Sequence, residues 1–287
     1  MTSRTAVIAD YSCEVGEGVL WHPEEKRVYW TDIPNGHLYR YDPGTDAHEQ
    51  VYDGDTVGAF TFQKDGSLLL FGAEGRVDIW RNGELKPVVD RLPEESGMRF
   101  NDVIADPAGR VFCGTMDTDD FSKGRLYRLD TDGSITTVLD PVKLPNGMGF
   151  TPDTTGFYLT ESDTNEIHRF DYDIETGALS DQQTFSSLPD TEGMYDGMTV
   201  DDEGRVWSAL WGGGAIVRHG SDGEVERRVS VPAENVTSLT FGGEDLRDMY
   251  VSSATFEADP AEEYAGALFR VESNVQGTRE FVSDIRP

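Results

Sequence analysis

Four polar residues recur at near-regular intervals along this 287-residue chain, and their side chains suit the binding of a cation. They are Glu17, Asn101, Asn146 and Asp196, and each offers oxygen donors. Hard divalent ions such as Ca²⁺, Mg²⁺ or Mn²⁺ prefer such donors, and Zn²⁺ or Fe²⁺ also accepts them. Carboxylates that meet in a confined space repel one another unless a cation lies between them. A site with few protein ligands also leaves positions open for water and substrate, as catalytic metal sites do.

The spacing of these residues predicts the fold. Each opens an apolar segment, and so do Gly58 and Thr237, so that six openers lie 41 to 50 residues apart. A turn, two further strands and, in most repeats, a weaker fourth strand follow each opener. A period of about 40–50 residues is typical of β-propellers. We predict an all-β fold, a six-bladed β-propeller with four-stranded blades, in which residues 1–287 form a single domain and the openers face the central axis.

The pattern leaves two alternatives open. Either the N-terminal segment 5–10 or the C-terminal segment 279–284 could complete the last blade and close the ring. The dipeptides Asn146-Gly147 and Asp196-Gly197 also favour tight hairpin turns, in which case these openers would be structural turn caps. Their register with the other openers favours the cation site.

The chain is strongly acidic, with 24 Lys and Arg against 54 Asp and Glu and a net charge of −30. Nucleic-acid binding requires a basic face and is therefore not expected. Repulsion at this charge is screened at about 1 M salt, where the Debye length falls to roughly 3 Å. The composition thus favours a protein of an extreme halophile, such as a haloarchaeon, over an ordinary acidic protein.

The remaining features point to the cytoplasm and to no other active site. The N-terminus has no long apolar stretch, so we expect neither a signal peptide nor a membrane span. The two cysteines, Cys13 and Cys113, provide no disulfide framework and no zinc motif. The chain has no G-x-S-x-G motif of a serine hydrolase, and its five His residues lack zinc-protease spacing.

Five segments of the chain resemble the gluconolactonase/regucalcin family, also called the senescence-marker-protein family. The segments are GEGVLWHPEEKRVYWTDI (16–33), MRFNDVIADPAGRVFCGTMD (98–117), LPNGMGFTPDTTGFYLTES (144–162), YDGMTVDDEGRVW (195–207) and SLTFGGEDLRDMYVSSA (238–254). They occur in the family's order and with similar spacing. The resemblance implies a six-bladed propeller that hydrolyses sugar lactones with one divalent metal ion in its central channel.

The resemblance also implies roles for individual residues. The glutamate of the family's G-E-x segment, the asparagine of its N-G segment and the aspartate of its D-G segment are its metal ligands, and they fall on Glu17, Asn146 and Asp196. The substrate-contacting residues of its R-x-N-D segment fall on Arg99 and Asn101, and an acidic one beyond G-T-M falls near Asp119.

These roles imply metal-dependent hydrolysis of a sugar lactone, a pentonolactone or gluconolactone, to the aldonic acid in oxidative sugar catabolism. The cation would polarise the lactone carbonyl, and Asp196 would act as general base toward the attacking water. Arg99 and Asn101 would orient the sugar through its hydroxyl groups. Two alternatives remain: a propeller hydrolase acting on other esters or phosphotriesters, and a non-catalytic binding propeller. The sequence identifies neither the metal nor the oligomeric state.

Overall fold

The structure, a computed structural model, describes residues 5–119 and 121–287. Within these ranges, 24 strands form six antiparallel sheets of four strands each. The sheets are the blades of a six-bladed β-propeller, so the predicted fold class is confirmed. The helical turns in the described chain are the 3₁₀ segments Pro93–Glu95 and Asp190–Glu192. No helix of the described ranges is long and apolar enough to cross a bilayer.

Each blade has four strands that follow one another outward from the central channel. The innermost strands of blades 1 to 6 are β2 (Gly16–His22), β6 (Ala59–Phe62), β10 (Met98–Ala105), β14 (Pro145–Phe150), β18 (Met194–Val200) and β22 (Val236–Gly242). The second strands are β3 (Arg27–Asp32), β7 (Leu68–Phe71), β11 (Val111–Asp117), β15 (Gly156–Glu161), β19 (Val206–Trp211) and β23 (Asp248–Ser253). The third strands are β4 (His37–Asp42), β8 (Val77–Arg81), β12 (Gly124–Leu129), β16 (Glu166–Asp173), β20 (Ala215–His219) and β24 (Ala267–Glu272). The outermost strands are β5 (Ala47–Asp53), β9 (Glu84–Val89), β13 (Ile135–Leu139), β17 (Ala178–Ser187), β21 (Val225–Ser230) and β1 (Thr5–Asp10).

The N-terminal strand closes the ring. β1 pairs antiparallel with β24, from Thr5 opposite Val271 to Asp10 opposite Ala267, and so becomes the outermost strand of blade 6. Because β1 leads directly into β2, one stretch of chain joins the last blade to the first. The competing segment 279–284 forms no blade strand and crosses the end of the propeller instead. The innermost strands contact their neighbours around a complete circle.

The apolar core is divided among the interfaces between blades. Six clusters of buried apolar residues are present, one between each pair of neighbouring blades. At the closing interface, for example, Trp21 of blade 1 and Tyr250 of blade 6 stack with ring centroids 6.1 Å apart. Side chains alternate between the two faces of a strand, so each blade packs against both of its neighbours. These contacts fix the innermost strands relative to one another and thereby position the openers.

Candidate metal centre

β-Bulges interrupt the innermost strands where the openers lie. In β2 the register of pairing with β3 shifts between Glu17 and Leu20. In β10, β14 and β18 the shift spans residues 101–102, 146–147 and 196–197. A bulge leaves a residue outside the regular ladder and re-aims its side chain. In a regular strand, side chains alternate between the two faces and point into the interfaces between blades. At the bulges the polar openers do not follow this alternation.

The glycines that follow two openers serve close approach between strands. Asn146-Gly147 and Asp196-Gly197 lie within innermost strands and not in hairpin turns. A Cβ atom on Gly197 would lie 2.8 Å from the carbonyl oxygen of Thr237 in the next blade. A side chain on Gly147 would likewise overlap the backbone of β18. The hairpin-turn alternative is therefore wrong for these two dipeptides.

Two acidic openers from blades 1 and 5 lie against each other. The side chains of Glu17 and Asp196 are 8% and 4% exposed, and their carboxyl groups are close enough to share a hydrogen bond. Burial raises the pKa of Glu17 to about 8, and the nearby carboxylate of Asp102 adds to this shift. Burial and the charge of Glu17 raise the pKa of Asp196 well above its usual value. Burial and like charge thus favour the protonated forms of this pair, and a bound cation would favour the ionised forms.

The amide of Asn146 is held in one orientation by a buried serine. Asn146 Nδ2 donates to Ser162 Oγ at 3.2 Å, and Ser162 Oγ donates to the carbonyl oxygen of Tyr195 at 2.6 Å. Asn146 and Ser162 are both buried. Because its nitrogen is engaged in this way, the amide leaves its oxygen available to a ligand. The same serine ties blade 4 to the residue that precedes Asp196.

Arg99 and Asn101 form a connected pair on β10. Arg99 Nη1 donates to Asn101 Oδ1 at 2.7 Å and to the carbonyl oxygen of Phe100 at 2.9 Å. Asn101 Nδ2 donates to the carbonyl oxygen of Pro145, directly before Asn146, at 3.0 Å. Burial lowers the pKa of Arg99 to about 10, and the carboxylates of Glu17 and Asp196 oppose that shift. Blade 3 thus places a positively charged guanidinium group and an amide group near the acidic pair Glu17 and Asp196.

Asp119 lies apart from these groups, in the loop between β11 and β12. Its side chain is exposed, and its backbone nitrogen donates to Asp117 Oδ1 at 2.9 Å. This loop leaves β11 at the same end of the propeller as the bulges, because Met98 pairs with Asp117. Asp119 is therefore exposed at the same end of the propeller as the bulges and outside the buried cluster.

The donor groups fit a hard divalent cation. Asp196 Oδ1 is buried and has no hydrogen-bond partner among the described residues, which is costly unless a ligand or proton satisfies it. Glu17 supplies a second carboxylate and Asn146 a neutral oxygen, and three protein ligands leave positions open for water and substrate. Within residues 5–119 and 121–287, no three His, Cys, Asp or Glu side chains form a metal-holding group by themselves. A cation here would therefore need a donor of another kind beside the carboxylates, and the amide oxygen of Asn146 is an available one.

The reasoning from sequence missed two groups beside the openers. Asp102 follows Asn101, and burial raises the pKa of its carboxyl to about 6. Its charge acts on both Glu17 and Asp196. Its place beside an opener in the R-x-N-D segment was an available signal. Ser162 gave no signal, because its role depends on a contact with blade 5.

The family model described as the SMP-30/Gluconolactonase/LRE-like region matches residues 15–255. Among curated proteins, the pentonolactonase XacC of Haloferax volcanii is 48% identical over 97% of this chain and 98% of its own length. Regucalcin of Danio rerio is 35% identical over 90% of each chain. Among solved structures, a calcium-binding regucalcin of Agrobacterium tumefaciens superposes with a TM-score of 0.92 over 98% of both chains at 24% identity. This last likeness supports the fold.

Proposed function

The chain belongs to the SMP-30/gluconolactonase/LRE-like family, and we infer that it hydrolyses a sugar lactone to the corresponding aldonic acid. We further propose that the substrate is a pentonolactone, since the Haloferax volcanii pentonolactonase is similar over nearly the whole of both chains. The observation that carries the site is the buried Glu17–Asp196 pair, in which Asp196 Oδ1 lacks a partner.

We propose that Glu17, Asn146 and Asp196 hold one divalent cation. When bound, the cation supplies Lewis-acid polarisation of the lactone carbonyl and charge stabilisation of the oxyanion. A bound cation would offset the burial and the like-charge repulsion that raise the pKa values of both groups. Ser162 holds the amide nitrogen of Asn146, which leaves the amide oxygen as the donor that this residue can offer to a cation.

The reaction requires one proton acceptor and one oriented sugar ring. Asp196 accepts a proton from the attacking water as its oxygen bonds to the carbonyl carbon. The bond between the carbonyl carbon and the ring oxygen then breaks, and the proton passes to that oxygen to give the hydroxyl of the open acid. Arg99 and Asn101 donate hydrogen bonds to the sugar hydroxyls and fix the ring relative to Asp196.

A lactone panel in molar KCl tests this function. Xylono-1,4-lactone, arabinono-1,4-lactone and gluconolactone are compared with paraoxon and an aryl ester by proton release, after removal of metal and after addition of Mg²⁺, Ca²⁺, Mn²⁺, Zn²⁺ or Fe²⁺. We expect hydrolysis of a pentonolactone above the spontaneous rate, abolished by chelation and restored by one of the ions. Preference for paraoxon or the aryl ester would instead identify a hydrolase of other esters.

The variant Glu17→Gln tests the ligand assignment within the same experiment. It keeps the shape of the side chain but removes one negative charge from the proposed ligand set. We expect the metal dissociation constant to rise at least by the roughly 10–100-fold that the loss of an outer-shell partner causes. Wild-type metal affinity in this variant would show that the cation, if required, binds elsewhere.

A further inference from the structure

The C-terminal segment 277–286, which we call the strap, crosses the end of the propeller opposite the bulges. It begins at blade 5, where the backbone nitrogen of Thr278 donates to the carbonyl oxygen of Val200 at 3.3 Å. At blade 2 the backbone nitrogen of Ser283 donates to the carbonyl oxygen of Phe62 at 2.9 Å.

The strap is also tied to the second of these blades through side chains and ends at blade 3. Ile285 exchanges two hydrogen bonds with the side chain of Gln63, at 2.9 and 3.2 Å. The backbone nitrogen of Arg286 then donates to the carbonyl oxygen of Thr131 in blade 3, at 2.7 Å. The strap therefore spans the channel opening between blade 5 and blades 2 and 3.

Glu280 and Phe281 of the strap reach the channel. Glu280 lines a cavity together with Phe281, Asp102 and residues from the innermost strands of all six blades. Thr199 Oγ1, on the strand that carries Asp196, donates to Glu280 Oε1 at 3.4 Å. The cavity lies behind the openers, since on blade 1 it begins at Gly18, one residue beyond Glu17. Glu280 is thus held on the inner side of the strap, toward the ligand-bearing strand.

We propose that the strap closes the far end of the channel and that Glu280 is a positioning residue, whose negative charge behind Glu17 and Asp196 strengthens binding of the divalent cation. This inference rests on the proposed metal-dependent function. In this proposal Glu280 contacts neither substrate nor cation. Its negative charge, together with that of Asp102, makes the electrostatic potential at the cation site more negative.

The charge balance of the channel supports this role. Among the described residues, the interacting charged groups here are Arg99 and four acidic side chains, namely Glu17, Asp102, Asp196 and Glu280. Arg279, next to Glu280, is exposed and lines a neighbouring cavity with it. Burial raises the pKa of Glu280 to about 7, and the charge of Asp102 contributes to the shift. Charges in a partly desolvated interior interact far more strongly than on a surface. A purely structural strap would gain little from a carboxylate here, because the hydroxyl of Thr199 is a neutral partner that offsets only part of the cost of burying a charge.

The test is calorimetric titration of metal-free wild type, Glu280→Gln and Glu280→Asp with Mn²⁺ in 2 M KCl, at a pH of about 8 so that Glu280 is mostly ionised. For Glu280→Gln we expect the Mn²⁺ dissociation constant to rise about tenfold. The variant loses a unit negative charge, and at an effective dielectric constant near 20 the attraction of that charge for the cation is appreciable. Glu280→Asp keeps the charge and should retain most of the affinity.

Asp284→Asn is the matched control, because it removes the same charge from the strap beside Arg286 and outside the cavity. We expect its Mn²⁺ affinity to equal that of wild type. Melting temperatures of the metal-free proteins separate the two roles: the proposal expects Glu280→Gln to be at least as stable as wild type. An unchanged Mn²⁺ dissociation constant in Glu280→Gln, with or without a lower melting temperature, overturns the proposal while the metal site stands. Absence of Mn²⁺ binding to wild type overturns the metal site and this proposal together.

Discussion

Blades 5 and 2 are built from the same four antiparallel strands but contribute differently to the channel. Blade 5 opens with Asp196 in a β-bulge, whereas blade 2 opens with Gly58, and the pairing of β6 with β7 shows no register shift. A Cβ atom on Gly58 would overlap the carbonyl oxygen of Phe100, so blade 2 provides space for β10 where blade 5 provides a carboxylate. The two blades thus share one scaffold and differ at the opener position. In blade 5 that position carries a carboxylate in the channel, and in blade 2 it leaves space for the neighbouring strand.

The largest effect is expected from removal of the blade 5 carboxylate. Asp196→Asn keeps the shape of the side chain but loses the proposed base and one anionic donor. Loss of a general base alone lowers the rate about 10²–10⁴-fold, so kcat on xylono-1,4-lactone should fall at least that far. Proton release gives the rate, and metal content is measured on the same sample.

The same chemical change in blade 2 provides the control. Asp65 lies in the turn after β6, where its carboxylate accepts hydrogen bonds from Ser67. Asp65→Asn should leave kcat within a few-fold of wild type. Equal turnover in Asp196→Asn and wild type would refute the assignment of the base, even if the protein is a lactonase.

A methyl group at Gly58 should test the structural role of blade 2. Because Gly58→Ala would press on the backbone of β10, we expect a loss of stability of about 1–3 kcal/mol, the usual range for overpacking. Denaturant unfolding in molar KCl measures the loss. In the control Gly44→Ala, the new methyl would meet the movable Asp42 Oδ1 at 3.2 Å, so stability should change little. If the two variants unfold alike, close approach to β10 does not explain the glycine.

A smaller effect, on KM and not on metal binding, is expected from a change of Asn101 on blade 3. Asn101→Ala removes the amide that links Arg99 to the backbone of blade 4. We expect KM for the pentonolactone to rise about tenfold, which corresponds to roughly 1.4 kcal/mol of lost binding. The metal dissociation constant serves as an internal control and should not change. A parallel loss of metal affinity would make Asn101 a ligand instead of a substrate contact.

The repeat could be predicted from the sequence because each blade has a local pattern of apolar and polar residues. Alternating strands and the spacing of openers indicated six blades, and the openers Glu17 and Asp196 do lie side by side. The bulges could not be predicted, since they depend on how neighbouring inner strands approach one another. The strap was missed for a similar reason: segment 279–284 resembles a strand, and its course depends on contacts with blades 2 to 5 that are distant in sequence.

Some predictions are not tested by the fold. The single-domain organisation over residues 1–287, the cytoplasmic location and the halophilic origin stay predictions. So do the roles of all the site residues: the metal ligands Glu17, Asn146 and Asp196, the base Asp196, and the substrate contacts Arg99, Asn101 and Asp119.

The last expected effect is a pH dependence confined to the metal-free protein. The folded-state pKa of Glu17 is raised from 4.5 to about 8, and that of Asp196 is raised as well. An acid with a raised pKa favours the folded state while protonated, so this stabilisation is complete below the unfolded pKa and is lost as pH rises toward 8. The melting temperature of chelated protein should therefore fall between about pH 5 and 8, by some 2–4 °C per kcal/mol lost.

A bound cation would hold both groups ionised, so loaded protein should show a flatter profile, and chelated Glu17→Gln should lie between the two. Blade 2 brings no acidic opener, and Asp65→Asn should retain the full slope. Identical profiles for chelated and loaded wild type would mean that the acidic pair is not where the cation binds.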